Sequence, residues 1–176
     1  MFFGKRRVKR EDVKEVIIME ALAVFAPDSG EITPLPEIDD PKLSNDMSGR
    51  GFLLNPKGDV VGSPFIGTVS KVLDRGRAIK IDVSFGVFTM VYLGQSTDNL
   101  KKEHFEACVF SGDVVGPGDP LIRFDRPGIE ATGSDMMIRV VVLDNDKYDV
   151  FEVLEPRTVK NGELVAAIPW IFPVDW

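Results

Sequence analysis

The sequence holds one cysteine, one histidine, two tyrosines and two tryptophans, and each scarcity removes a class of function. Cys108 alone closes no internal disulfide, and its place between Ala107 and Val109 predicts a small buried hydrophobe in a reducing compartment. No apolar run approaches the roughly 20 residues that a spanning helix needs, and the first residues lack the apolar stretch of a secretory signal. The expected location is the cytoplasm. Uninterrupted stretches are scarce as well: 16 glycines and 12 prolines cut the chain into short apolar bursts, the pattern of many strands and few helices. The expected class is all-β, in one domain, because 176 residues close one sizeable core and are too few for two.

The net charge of −7 is unevenly spread. Residues 1–10 carry Lys5, Arg6, Arg7, Lys9 and Arg10 with no acid, so this head is +5 and the rest of the chain is −12. A body so acidic excludes nucleic acid as the main partner. Beyond the head, Val13, Val16 and Ile17 fall at helical spacing, which predicts a short helix or frayed tail within residues 1–20. From Ala21 the period is strand-like, with strands expected at 21–26, 31–33, 52–55, 60–63, 68–73, 78–83, 87–93, 121–125, 138–143, 149–154 and 164–168. In 78–83, Ile79, Ile81 and Val83 alternate with Lys80 and Asp82, which sets the first three inward. The β domain is expected over 21–168. The last residues, 169–176, are an apolar tail that either docks on this domain or awaits a partner.

A weak internal repeat adds to this. Val115-Gly116-Pro117-Gly118-Asp119-Pro120-Leu121 is echoed 44 residues later by Val159-Lys160-Asn161-Gly162-Glu163-Leu164-Val165, each a turn of glycine then acid leading into an apolar strand. Two similar halves facing each other would make a closed sandwich.

Longer signposts follow in order: Ala26-Pro27-Asp28-Ser29-Gly30-Glu31-Ile32, Gly49-Arg50-Gly51-Phe52-Leu53-Leu54-Asn55-Pro56, Gly67-Thr68-Val69, Gly86-Val87, Gly94, Phe105, Gly112-Asp113-Val114-Val115, Gly118-Asp119-Pro120-Leu121-Ile122 and Phe124-Asp125. This ordered series, over about residues 21 to 168, resembles glucose-class enzyme IIA of the bacterial phosphoenolpyruvate:sugar phosphotransferase system. The resemblance implies a barrel-sandwich hybrid, the duplicated hybrid motif. It also implies a phosphoryl relay on two histidines fifteen residues apart, one accepting the group and one steadying its oxygens. Carried over from Gly86-Val87 and Gly94, the supporting position falls on Arg77 and the accepting position on Tyr92. The spacing is kept and both histidines are gone.

Imidazole suits the relay because it is nucleophilic near neutral pH and releases the group readily. A phenol, with a pKa of about 10, accepts poorly and holds the group as an ester. The remaining histidine, His104, follows Lys101-Lys102-Glu103 and is expected to be a solvated loop residue. Arg77 opposite Tyr92 either stacks on the ring, holds an anion, or simply replaces a lost site.

The resemblance further implies an apolar docking face on which Leu43, Leu73 and Met90 stand where the family tends to place phenylalanine. Of two flanking acids, Asp40 matches one and Ser96 replaces the other. The implied function is a binding or regulatory protein acting on phosphotransferase-system proteins, permeases or sugar kinases. Residues 1–10, with Phe2 and Phe3 beside the cations, are expected to make weak contact with an anionic membrane surface or to serve as a solubilising head. No cofactor is implied. One histidine also excludes the zinc site of endopeptidases on a related barrel, and zinc bridging to a partner's carboxylate. Two alternatives stay open: a phosphocarrier using another residue, and a prosthetic-group carrier with Lys57 at a hairpin tip of Pro56-Lys57-Gly58-Asp59.

Overall fold

The computed structural model of the chain describes residues 21–35, 49–83, 87–94, 101–143 and 156–169. Apolar side chains at every second position give strands through most of these stretches. In chain order they are β1 (Ala21–Phe25), β2 (Gly30–Pro34), β3 (Gly49–Pro56), β4 (Val60–Gly62), β5 (Gly67–Leu73), β6 (Ala78–Val83), β7 (Val87–Leu93), β8 (Phe105–Ala107), β9 (Val114–Val115), β10 (Pro120–Phe124), β11 (Ile138–Leu143), β12 (Arg157–Val159) and β13 (Leu164–Pro169). Each strand expected from alternation forms where the residues are described; the strand at 149–154 and the helix around 13–17 lie outside them.

Four elements add to the sequence reading: β8, β9, β12 and a helix, α1 (Arg126–Thr132). The strands are too short to show a period. The helix carries Pro127 and Gly128 in its first turn, where proline costs no intrahelical hydrogen bond, and Gly133 closes it at φ 75°.

Among the described residues, all strand pairs are antiparallel and fall into three sheets. One pairs β1 with β13, one runs β4-β10-β8, and the largest runs β12-β2-β3-β11-β7-β6-β5-β9. One core joins them: Val24 from the first, Val61 and Ile122 from the second, and Ile32, Phe52 and Val140 from the third. Ile79, Ile81 and Val83 are buried there, as alternation requires. The architecture is an all-β barrel-sandwich of open sheets.

The internal repeat is one turn design, and it occurs three times among the described residues. In each copy an acid donates its N–H to the carbonyl three residues back and accepts that residue's N–H on its carboxylate. The pairs are Asp113 with Phe110 (3.1 and 2.8 Å), Asp119 with Gly116 (3.1 and 2.8 Å) and Glu163 with Lys160 (2.9 and 2.8 Å). The preceding glycines, Gly112, Gly118 and Gly162, sit at φ 99°, 84° and 76°, a region costly for other residues.

Each turn then grips another segment through the glycine N–H and the acid's carbonyl. Gly112 and Asp113 hold Val69, Gly118 and Asp119 hold Ser63, and Gly162 and Glu163 hold Ala26. The last two gripped segments also hold each other, Phe25 N–H on Pro64 at 2.9 Å and Gly62 N–H on Pro27 at 2.8 Å. The Gly118 and Gly162 turns are thereby tied to each other through the segments that they grip.

Glu163 reports on this lock. The Lys160 N–H, and after it the Arg157 guanidinium at 3.1 Å, hold its carboxyl below the ordinary 4.5. A carboxyl whose pKa is lower folded than unfolded stabilises fully above the unfolded value, and the contribution fades as pH falls through the folded one. Glu163→Gln is expected to lower the urea midpoint at about pH 7, with the gap to the natural chain closing towards about pH 3. A gap that stays constant with pH would assign the loss to packing instead.

Candidate functional site

The largest sheet has a second, outward face, and its rows follow from strand register. One row crosses six strands as Leu73, Ala78, Tyr92, Arg139, Leu53 and Thr33. The next runs Lys71, Lys80, Met90, Val141 and Gly51, and a third runs Val114, Thr68, Asp82 and Phe88. Ala78, Met90 and Val141 form a small apolar cluster here, with Leu35, Tyr92 and Leu143 packed against it.

A bulge at Ser70 makes this face possible on β5. It shifts the register between Val69 and Lys71, so Val69 and Val72 both meet the core while Lys71 and Leu73 turn outward.

Of the residues singled out by sequence, Leu73, Met90 and Tyr92 therefore share one sheet face. Leu73 is 41% exposed and Met90 only 5%. Arg77 lies just before β6, after a tight turn of Asp74–Gly76, and its carbonyl accepts the Leu93 N–H at 3.0 Å on the strand that carries Tyr92. Its own backbone is helical, φ −87° and ψ −18°, so strand alternation stops there. Arg77 is 5% exposed, and its guanidinium is held by Asp74 Oδ2 through Nε at 2.9 Å and through Nη2. Asp74 and Arg75 adopt left-handed φ of 50° and 59°, a strained backbone for non-glycine residues and one that clusters at functional sites. Leu43, Asp40 and Ser96 lie outside the described residues.

Sequence reasoning missed Arg139. Its guanidinium lies 4.3 Å from the centroid of the Tyr92 ring, and the residue is 5% exposed. A stacked cation of this kind is worth about 1 kcal/mol, more when desolvated. The signal was present: Arg139 is the one charged residue in Ile138-Arg139-Val140-Val141-Val142-Leu143, and a buried arginine needs a reason.

His104 is not on this face. It ends a short turn, Lys102–His104, leading into β8 of the three-stranded sheet, and it is half-buried, contrary to the solvated loop expected. Its Nδ1 lies 3.7 Å from Asp125 Oδ2, and its carbonyl accepts the Asp125 N–H at 2.7 Å. Gly128 makes room: a Cβ there would meet Asp125 Oδ2 at 2.1 Å and His104 Nδ1 at 2.8 Å. Cys108 is half-buried rather than buried, because β8 ends before it; its N–H is tied to the Leu121 carbonyl at 2.8 Å and its thiol donates to the Glu106 carbonyl at 3.9 Å.

The segment Pro56-Lys57-Gly58-Asp59 is likewise no hairpin tip, since β3 and β4 belong to different sheets. It is pinned from both sides. Buried Asp28 accepts the Gly58 N–H at 2.7 Å, and Arg126 donates to the carbonyls of Pro56 at 2.6 Å and Gly58 at 2.7 Å. A carrier lysine needs a freely presented tip, so this geometry disfavours the prosthetic-group alternative.

Among the described residues, no helix is long and apolar enough to cross a membrane.

Comparison with known proteins agrees with the signposts. Residues 22–148 match the family described as phosphoenolpyruvate-dependent sugar phosphotransferase system, EIIA 1. The chain is 31% identical over 161 residues to a glucose-specific EIIA component of Staphylococcus aureus strain COL, covering 92% of each. It is 33% identical over 145 residues to a beta-glucoside-specific EIIBCA component of Bacillus subtilis strain 168, covering 82% of this chain and 24% of that one. In structure it is similar to glucose permease IIA from Mycoplasma capricolum, with a TM-score of 0.72, 26% identity, and coverage of 95% and 99%.

Proposed function

We propose that this chain, which belongs to the EIIA 1 family of the phosphoenolpyruvate-dependent sugar phosphotransferase system, works there as a binding and regulatory protein and not as a phosphocarrier. The reading is supported by the resemblance, which carries the two relay positions, fifteen apart, onto Arg77 and Tyr92 where the family chemistry needs two histidines. The single histidine of the chain is His104, beside Asp125 on another sheet. A phenol in place of the imidazole gives a poor acceptor and a phosphate ester that is a poor donor, so a relay would stop there.

Held in one chemical state, the protein offers surface in place of transfer. Its partners are then phosphotransferase-system proteins, permeases or sugar kinases, met in the cytoplasm through the face of Leu43, Leu73 and Met90 with Asp40 and Ser96 at its rim. The sugar is one of the class that its relatives' names indicate, glucose or a beta-glucoside. Residues 1–20 form a basic head able to touch an anionic membrane, residues 21–168 form the working domain, and residues 169–176 form an apolar tail.

Incubation with phosphoenolpyruvate and the general phosphotransferase proteins, followed by intact-mass measurement, tests the reading. The mass is expected to stay unchanged. A stoichiometric gain of one phosphoryl group would revive the phosphocarrier alternative, and the modified residue would identify its nucleophile.

A further inference from the structure

Four of the six large apolar side chains exposed among the described residues gather at one end of the eight-stranded sheet. Val114, on the terminal strand β9, and Phe88, on β7, close the row Val114, Thr68, Asp82, Phe88. Ile66 comes two residues before Thr68, and Phe110 opens the turn that leads into β9. Val114 is 78% and Ile66 65% exposed. Apolar side chains exposed in a group, not singly, mark a contact surface.

Three acids stand among them. Asp82 lies inside the row and keeps one carboxylate oxygen buried without a hydrogen-bond partner. Asp113 immediately precedes Val114, and Asp119 accepts at 2.8 Å the N–H of Gly116, just past β9. Among the described residues none of the three is ion-paired. Lys71 and Lys80 belong to the next row, on the Met90 side, and Lys80 is already turned onto the Phe88 ring, its Nζ 4.2 Å from the centre. On the other side of the row, the strand ends Ile66-Gly67, Val83, Val87 and Val115-Gly116 carry no charge.

The complementary segment belongs to the chain itself. Residues 1–10, outside the described residues, hold Phe2 and Phe3 beside Lys5, Arg6, Arg7, Lys9 and Arg10, with no acid. Reach is sufficient. β1 begins at Ala21, and Phe25 at its far end donates its N–H at 2.9 Å to Pro64, two residues before Ile66. Followed along this path, Ala21 stands at most about 26 Å from Ile66 by backbone dimensions. Residues 11–20, when extended, span up to about 35 Å.

We infer that the basic head docks on this end of the sheet, its phenylalanines against Ile66 and Val114 and its cations against Asp82, Asp113 and Asp119. Docked there, the head is withheld from an anionic membrane, so the two contacts compete. Such docking is independent of whether the chain takes a phosphoryl group.

The test places a spin label on V8C in the full chain carrying C108S and reads amide signals by NMR. The label is expected to broaden Ile66, Thr68, Asp82 and Val114, to spare Thr33 and Leu53 across the same face, and to act less as salt rises. K5E/R6E/R7E and, separately, I66S/V114S should each abolish the broadening; Ile66 and Val114 are exposed, so their loss leaves the core intact. I66S/V114S should also bind anionic phospholipid vesicles roughly threefold more tightly than the natural chain, because its head is released.

Broadening that falls elsewhere or nowhere, or that survives either set of substitutions, would overturn the docking. So would equal vesicle binding by the natural chain and I66S/V114S. In a mixture of spin-labelled chains with separate isotope-labelled ones no broadening is expected; its appearance would place the head on a second copy and overturn the contact within one chain.

Discussion

R77H/Y92H is expected to take up phosphoryl groups from a phosphohistidine donor protein, where the natural chain takes up none. Transfer of this kind depends mainly on positioning and on stabilising charge, so a scaffold that keeps the geometry regains activity when a competent nucleophile returns. The geometry here is favourable at the accepting position. Tyr92 lies on a regular strand between two paired neighbours, and Arg139 already covers its ring at 4.3 Å. A guanidinium in that place would offer paired N–H donors to the oxygens of a group on the new imidazole. At the supporting position, Asp74 is at hand to orient a histidine, as it now orients Arg77.

Recovery should be partial. By the family resemblance, Ser96 takes the place of a flanking acid and aliphatic side chains that of an aromatic ring, and each lost charge-assisted contact with the donor would cost on the order of 1–3 kcal/mol. Labelled transfer with donor in excess, run on both proteins together, reads the result. Label on the natural chain at Tyr92 or His104 would sink the proposed function. If neither protein takes label while an active relative does, positions 77 and 92 have drifted out of the relay geometry.

The largest effect on stability is expected from Gly51→Ala. Gly51 pairs with Val141 between β3 and β11, in the interior of the eight-stranded sheet. A Cβ there would stand 1.8 Å from the Val140 carbonyl oxygen, 2.8 Å from its carbon and 3.0 Å from a Leu35 methyl. The first two are backbone atoms of a strand paired on both edges, so neither can step aside without opening the sheet. The cost should exceed about 3 kcal/mol, a large share of a typical domain's 5–15 kcal/mol. Gly116→Ala is the control. Its Cβ would meet only Asp119 Oδ2, at 3.8 Å, and the change should stay within about 1 kcal/mol. Urea titration of the two variants decides it, and a Gly51→Ala chain no less stable than the control would show that β3 and β11 have room to part.

Alternation made most strands legible, and the reasons for the exceptions are local. A strict period of two across 68–73 would send Lys71 inward; the bulge at Ser70 reverses it, and nothing in Thr68-Val69-Ser70-Lys71 announces a bulge. The short strands β8, β9 and β12 are made by their partners. The repeat was read at Gly118 and Gly162; its third copy, Gly112-Asp113-Val114-Val115, carries the same glycine-acid-apolar pattern, and the shared hydrogen bonds identify it as the same turn. For the outward face, Tyr92 was legible through the family resemblance, and Arg139 stood out as the one charge in an apolar strand; their contact was not legible, because Arg139 comes from a strand 47 residues further along and meets the ring only through sheet register.

The pairing of β1 with β13 has a consequence for how such a domain is used. Ala21 and Pro169 are register partners, so the first and last of the described residues are neighbours, about 5 Å apart by the spacing of adjacent strands. A unit with such a doorway can be spliced into a longer polypeptide, at an end or within a loop, without stretching either junction. The same stretch of sequence matches both a component of similar length and about a quarter of a much larger one. A module whose two ends meet is mechanically indifferent to which of those settings it occupies.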